Sequence, residues 1–300
     1  MKITRISLTF TMIGVLSACG YNTKVVSDFN ESAVGLTKSY SELMDNNVKW
    51  CYESMLASQL GDSEYEDSYN MKDKINSTCE EYAASVKIAS SSAVVVNTYA
   101  AALSALVGIS PQFIEDDAKN LKDAALTIKN AEGEQALNKE EVEAFNSLVK
   151  TLSEMITTAA IKDKATQLMR DNSAAVNRQV DTMVEVSKRT GNWLAGTTNK
   201  ALINNLDLIG KSKASNGAIT NEQAIPYRYL AYMLSKNHPD QAAVTTALRN
   251  FEVAANSFKD ANNDLEKKFT TLTKEEQVAS ISDLKEKIDI LRSSLQTIRN

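Results

Sequence analysis

Ile281-Ser282-Asp283-Leu284-Lys285-Glu286-Lys287-Ile288-Asp289-Ile290-Leu291-Arg292-Ser293-Ser294-Leu295-Gln296-Thr297-Ile298 is the stretch that decides the fold. Its residues Ile281, Leu284, Ile288, Leu291, Leu295 and Ile298 recur at spacings of 3, 4, 3, 4 and 3. A helix completes a turn in about 3.6 residues, so this rhythm gathers six branched apolar side chains on one stripe. A strand would need alternation with a period of two, which is absent here. Thr273-Lys274-Glu275-Glu276 stands just upstream. It reads as a capping box, in which a threonine and a glutamate three positions on satisfy the free amides of a helix start.

The same rhythm recurs through the chain. Val26, Phe29, Ala33, Leu36, Tyr40 and Leu43 repeat the 3, 4, 3, 4, 3 pattern, and Tyr40, Met44, Val48, Cys51 and Met55 continue it with a small drift toward an end near Gly61. A second helix is predicted from about Ser68 to Val107, on the stripe Ala89, Ala93, Val96, Ala100, Leu103 and Val107, with Gly108 as its stop. Ser110-Pro111 reads as an N-cap and first helical residue of a third, which fades at Gly133. Asn138-Lys139-Glu140-Glu141 opens a further pattern running without Gly or Pro to about Thr190, carried first by Val142, Phe145, Val149, Leu152, Ile156 and Ala159, then by Val176, Val180, Met183 and Val184.

Gly191, Gly196, Gly210 and Gly217 are expected to break the next region into shorter helices. Thr220 to Gln223 resembles another capping box, crowded by Pro226, and His238-Pro239 marks a further restart. Only 10 Gly and 3 Pro occur in 300 residues, too few for the turns of an all-β sandwich or barrel. The expectation is an all-α protein: an elongated bundle of long antiparallel helices with coiled-coil-like packing over residues 25–300. Within 191–235 it carries either a joint between two helical subdomains or simply shorter helices on one bundle. No period of 20–50 residues recurs, so a helical-repeat solenoid has no support.

The N-terminus assigns a compartment. Lys2 and Arg5 precede an apolar run from Ile6 to Leu16, too short to span a bilayer, which takes about 20 residues. Leu16-Ser17-Ala18-Cys19-Gly20 follows. Residues 1–20 resemble the signal peptide and lipobox of bacterial lipoproteins. The resemblance implies that residues 1–18 are removed and that Cys19 becomes a triacylated N-terminus, with residues 19–24 as tether. Multiple acyl chains anchor a protein durably, whereas one is marginal. Gly20, in place of an aspartate, implies delivery to the outer membrane rather than retention at the inner one. The lipid bilayer is thus one expected partner. Loss of residues 1–18 takes Lys2 and Arg5 with it, moving the formal net charge from −5 to −7. No basic run remains, which argues against a nucleic-acid partner.

With Cys19 lipidated, Cys51 and Cys79 are left as an even pair in an exported protein. The polar stretch from Gly61 to Ser68 lies midway between them, so an antiparallel hairpin turning there brings the two level and predicts a disulfide. Two lone cysteines with no nearby histidine cannot supply four metal ligands.

Reaction chemistry is scarce in the sequence. The one histidine, His238, sits in Asn-His-Pro-Asp, the loop of a helix start. No G-x-S-x-G, Walker A or G-x-G-x-x-G pattern occurs. Asp116-Asp117, Glu140-Glu141 and Glu275-Glu276 fall in first helical turns, where the helix dipole favours acids. The ten tyrosines and Trp50 and Trp193 are scattered and read as packing residues.

From Ile88 to Ile114 no charged residue appears. The segment 88–110 is either a helix surrounded by others in a bundle or, with its small residues, a membrane-inserting element like those of helical pore-forming proteins. Asn97, Thr98 and Ser90 to Ser92 favour the buried helix. The sequence therefore predicts a non-enzymatic, cofactor-free helical scaffold or interaction module, anchored in the cell envelope, binding an envelope protein and capable of self-association. A membrane-active protein that inserts 88–110 is the alternative.

Overall fold

The computed structural model describes residues 23–59, 68–107, 161–211, 241–271 and 278–299. The described residues are helical with no strand: α1 (Thr23–Gln59), α2 (Ser68–Leu106), α3 (Ile161–Lys211), α4 (Gln241–Lys268) and α5 (Ala279–Arg299). The fold is all-α. Every residue of the first stripe, from Val26 to Leu43, is buried, and so are Ile281, Leu284, Ile288, Leu291 and Leu295 of the last, with Ile298 half-buried. Each large apolar side chain so covered contributes about 1.5–3 kcal/mol, the driving force that holds these faces inward.

α1 packs against all four of the other helices, and a single core runs through all five. The side-chain contacts give the helix directions. Phe29 stacks on Phe258 and Tyr40 tilts against Phe251, both with ring centroids 5.1 Å apart, so α1 and α4 run in opposite directions. Lys188 pairs with Glu252 and Lys259 with Asp181, so α3 and α4 also oppose each other. Asn250 bonds Ser294, and Ser257 bonds Asp283, which sets α5 against α4. α5 therefore lies parallel to α1, consistent with Lys285 on Asp28 and Ile288 beside Gly35.

One expectation fails on physical grounds. Gly191 does not break a helix: α3 continues unbroken through Gly191, Gly196 and Gly210 to Lys211. Gly191 is buried, and a Cβ there would overlap the Leu248 side chain of α4. Its missing side chain allows α3 and α4 to approach, which offsets the cost of about 1 kcal/mol for glycine in a helix. The 191–211 part of the region expected to hold a joint or shorter helices is thus one continuous helix with residues 161–190. Gly35 has a similar role in α1: a Cβ would lie 2.7 Å from Arg292 Nη2 and 3.0 Å from Ile288 Cγ2 of α5.

A smaller correction concerns α1 beyond Tyr40. Asn47 takes the fully buried position that the stripe gave to Val48, which is half-buried. α1 and α2 end at Gln59 and Leu106, close to the predicted stops. The signal peptide, the turn at 61–67, the helix starts at Ser110 and Asn138, the region 212–240 and the capping box at Thr273 lie outside the described residues.

Candidate functional site

Cys51 on α1 and Cys79 on α2 meet and are joined as a disulfide, with Cα atoms 5.8 Å apart. Both residues are wholly buried. Met55 and Ile75 complete a small core around them, and Tyr82 packs on its edge and also against the main core. The bond closes a loop 28 residues long. By the chain-entropy argument a loop of that length stabilises the fold by about 3.5 kcal/mol.

Residues 88–106 of the uncharged segment form the second half of α2. No described side chain from 90 to 107 is exposed, and Ser92, Val96, Tyr99, Ala100 and Leu103 are shut off completely. The helix is tied by polar bonds as well as apolar packing. Ser92 Oγ donates to Gln179 Oε1 at 3.0 Å, and Tyr99 Oη donates to Asn262 Oδ1 at 3.0 Å. Asn262 Nδ2 in turn faces three oxygens of α3: Asn177 Oδ1 and Ser173 Oγ, each at 2.9 Å, and the Ser173 carbonyl at 3.2 Å. Asn177 Nδ2 then donates to Asn263 Oδ1 at 2.8 Å. Asn262 is thus a hub between α2, α3 and α4. Burial raises the pKa of the Tyr99 hydroxyl far above the ordinary tyrosine value, so it remains a proton donor to Asn262 at any working pH. No described helix is long and apolar enough to cross a membrane.

Two polar groups near the other end of α1 are not satisfied. Asn47 is fully buried with neither its Oδ1 nor its Nδ2 hydrogen-bonded, and the buried Tyr40 hydroxyl also lacks a partner. Burial lifts the Tyr40 pKa well out of the ordinary range. Between the two, Thr190 Oγ1 on α3 lies 3.8 Å from Met44 Sδ while bonding the carbonyls of Val186 and Ser187.

Among the described residues two open grooves lie along α5. One, of about 380 Å³, lies against α1 and includes Glu31, Val34, Lys285 and Arg292. Its cations are engaged: Lys285 binds Asp28 at 2.8 Å and Glu31 at 3.7 Å, while Arg292 reaches Asp289 at 3.3 Å. Partial burial alone would raise the Asp28 pKa, but hydrogen bonds and charge from Lys285 and Lys24 hold it below the usual carboxylate range. The same hydrogen bond holds Lys285 above its ordinary value. The other groove, of about 690 Å³, lies between α4 and α5 and includes Ala242, Thr246, Ile290 and Ser294. Among the described residues no three His, Cys, Asp or Glu side chains converge on a metal position.

Of the residues singled out in the sequence, Cys51 and Cys79 come together as predicted, whereas Cys19 and His238 lie outside the described residues. The hub at Asn262 went unread, although a signal existed. Phe258, Asn262, Leu265 and Phe269 follow the spacing 4, 3, 4, which places an asparagine on an apolar stripe. No protein-family profile, curated protein or solved structure matches this chain.

Proposed function

We propose that the protein is a lipid-anchored lipoprotein of the cell envelope that serves as a non-enzymatic helical scaffold for an envelope protein. The observation that carries this reading is the ordered N-terminal sequence: Lys2 and Arg5, the apolar run, then Leu16-Ser17-Ala18-Cys19-Gly20. Cys19 supplies the acylation site and Gly20 favours the outer membrane. α1 begins at Thr23, and Val25 and Val26 are already buried in the bundle. Three residues separate Cys19 from that helix, so Cys19 lies at most about 14 Å from Thr23 when the chain is extended. An acylated Cys19 would therefore hold the helical body close to the bilayer.

The body suits presentation of a fixed surface. A 51-residue helix, a disulfide and a buried polar hub tie its helices together. Insertion of segment 88–110 into a bilayer would first break the Ser92–Gln179 and Tyr99–Asn262 bonds and strip the main core of Val96 and Leu103, a cost that weighs against the membrane-active alternative.

The test is metabolic labelling with a tagged fatty acid in cells producing the full chain and its Cys19→Ser variant. Label on the parent and none on the variant supports the anchor; an unlabelled parent overturns it. Crosslinking in whole cells, followed by mass spectrometry, then asks for the partner. A single envelope protein captured by the parent supports the scaffold. Capture of lipid alone, with leakage of liposomes on addition of the protein, overturns it in favour of insertion.

A further inference from the structure

The second half of α2 brings more polar groups to α3 than the Ser92–Gln179 bond and the Asn262 hub use. Asn172 on α3 is wholly buried, and Ser104 on α2 is 2% exposed. Asn172 Nδ2 donates to the Leu168 carbonyl at 3.0 Å, one turn back on its own helix, while its Oδ1 meets no donor among the described residues. Ser104 Oγ has no partner among them either. The buried serines Ser32, Ser91 and Ser187 behave differently, returning their hydroxyls to a carbonyl three or four residues back. Asn172 thus offers a free acceptor and Ser104 a free donor, both away from bulk water.

The register of the two helices brings these groups together. Ser92 bonds Gln179, and Tyr99 and Ser173 both bond Asn262, so α2 and α3 run in opposite directions with Tyr99 about level with Ser173. Ala100 is then level with Asn172. Asn172 stands seven residues from Gln179, about two turns, and so shares the face that Gln179 turns to α2. Ser104 stands four residues on from Ala100 and shares its face. The Asn172 amide leans toward Leu168, which is toward the level of Ser104, and the side chain opposite it is only the methyl group of Ala100. Buried water is the usual means by which such groups are satisfied.

We propose that Asn172 Oδ1 and Ser104 Oγ hold a buried water molecule that bridges α3 to α2. The water donates one hydrogen bond to Asn172 Oδ1 and accepts one from the Ser104 hydroxyl. Its second hydrogen has the spare lone pair of a helix carbonyl to meet, which gives about three bonds, the usual number for a buried water. This is a third polar tie on the uncharged segment, nearer the end of α2 than Ser92–Gln179 and Tyr99–Asn262. The site requires no lipid on Cys19, so it stands or falls independently of the proposed anchor.

Oxygen-17 magnetic relaxation dispersion, which counts waters held inside a protein for longer than it takes to tumble, tests the site on the full chain with Cys19→Ser. Asn172→Leu, apolar and of similar size, is expected to lose one long-lived water from the parent's count. Ser104→Ala keeps the asparagine and is expected to shorten the residence of that water about tenfold, the effect of one lost hydrogen bond. A crystal structure of the parent should show the water within about 3 Å of both Asn172 Oδ1 and Ser104 Oγ. An unchanged count in Asn172→Leu, an unchanged residence time in Ser104→Ala, or a parent crystal in which the two groups bond each other, another protein group or nothing would each overturn the site.

Discussion

Replacing Asn262 tests whether the polar hub holds α2 in the bundle. Its side chain is wholly buried and joins three helices through Tyr99, Ser173 and Asn177. Asn262→Ala removes the acceptor of the Tyr99 hydroxyl, which is itself fully buried, and a stranded buried hydroxyl costs about 1–3 kcal/mol. Ser173 Oγ is also buried and loses its donor, while half-buried Asn177 has access to water. The vacated volume adds a cavity cost of about 1 kcal/mol. Together these give a loss of about 2–4 kcal/mol.

Tyr99→Phe alone strands only one of the asparagine's acceptor sites and should cost about 1–2 kcal/mol. In the double variant Asn262→Leu/Tyr99→Phe the pair becomes apolar on both sides. Its loss should then fall short of the summed losses of Asn262→Leu and Tyr99→Phe by about 1–2 kcal/mol, the coupling between neighbours. Urea unfolding followed by circular dichroism at the helix band measures all five proteins, counting the parent. An Asn262→Ala loss below about 1 kcal/mol, or strict additivity in the double variant, would refute the hub and with it the argument that polar bonds keep the uncharged segment inside.

Gly191→Ala places a methyl group against Leu248 and should destabilise by about 1–3 kcal/mol, with Leu248→Ala recovering part of that loss; thermal melts of the two single variants and the double variant decide it. Tyr40→Phe removes a hydroxyl buried without a partner and should raise stability by about 1 kcal/mol, read as a higher urea midpoint. For Asp28 the folded pKa is lowered, so its stabilising tie between α1 and α5 is present above the usual carboxylate value and lost as pH falls below about 4. For Lys285 the folded pKa is raised, so its share is present below the ordinary lysine value and lost as pH climbs beyond it. Asp28→Asn should flatten the acid side of a stability-versus-pH profile measured by urea unfolding; an unchanged acid limb would refute the tie.

For two stripes that keep a strict 3–4 rhythm, the sequence was sufficient. The stripes from Val26 to Leu43 and from Ile281 to Leu295 became buried faces, and the midpoint between Cys51 and Cys79 located a real pairing. The failures share a cause, which is that a residue's intrinsic preference was outweighed by what packs against it. Gly191 reads as a breaker until Leu248 occupies the space where its side chain would be. Asn262 and Asn47 are polar by type, yet they hold buried stripe positions at the spacing of their apolar neighbours. Asn262 is stabilised there by oxygens from two other helices, partners far away in the chain. Asn47 has no such partner and sits inside because its helix face does. In the sequence α4 is marked only by the restart at His238-Pro239, whereas in the fold its Phe251 and Phe258 pack against α1.

The central place of α1 has a consequence for how the molecule is made. α1 touches every other described helix, and its contact with Lys285 joins residues 257 positions apart. Such long-range closure is slow, because ordering the intervening chain must precede the reward of contact. Val26, Phe29 and Leu36 therefore wait for α4 and α5, which come much later in the chain, before their apolar faces are covered. The delay is written into the topology, since the earliest of the described helices in the chain is among the last to acquire its full set of neighbours.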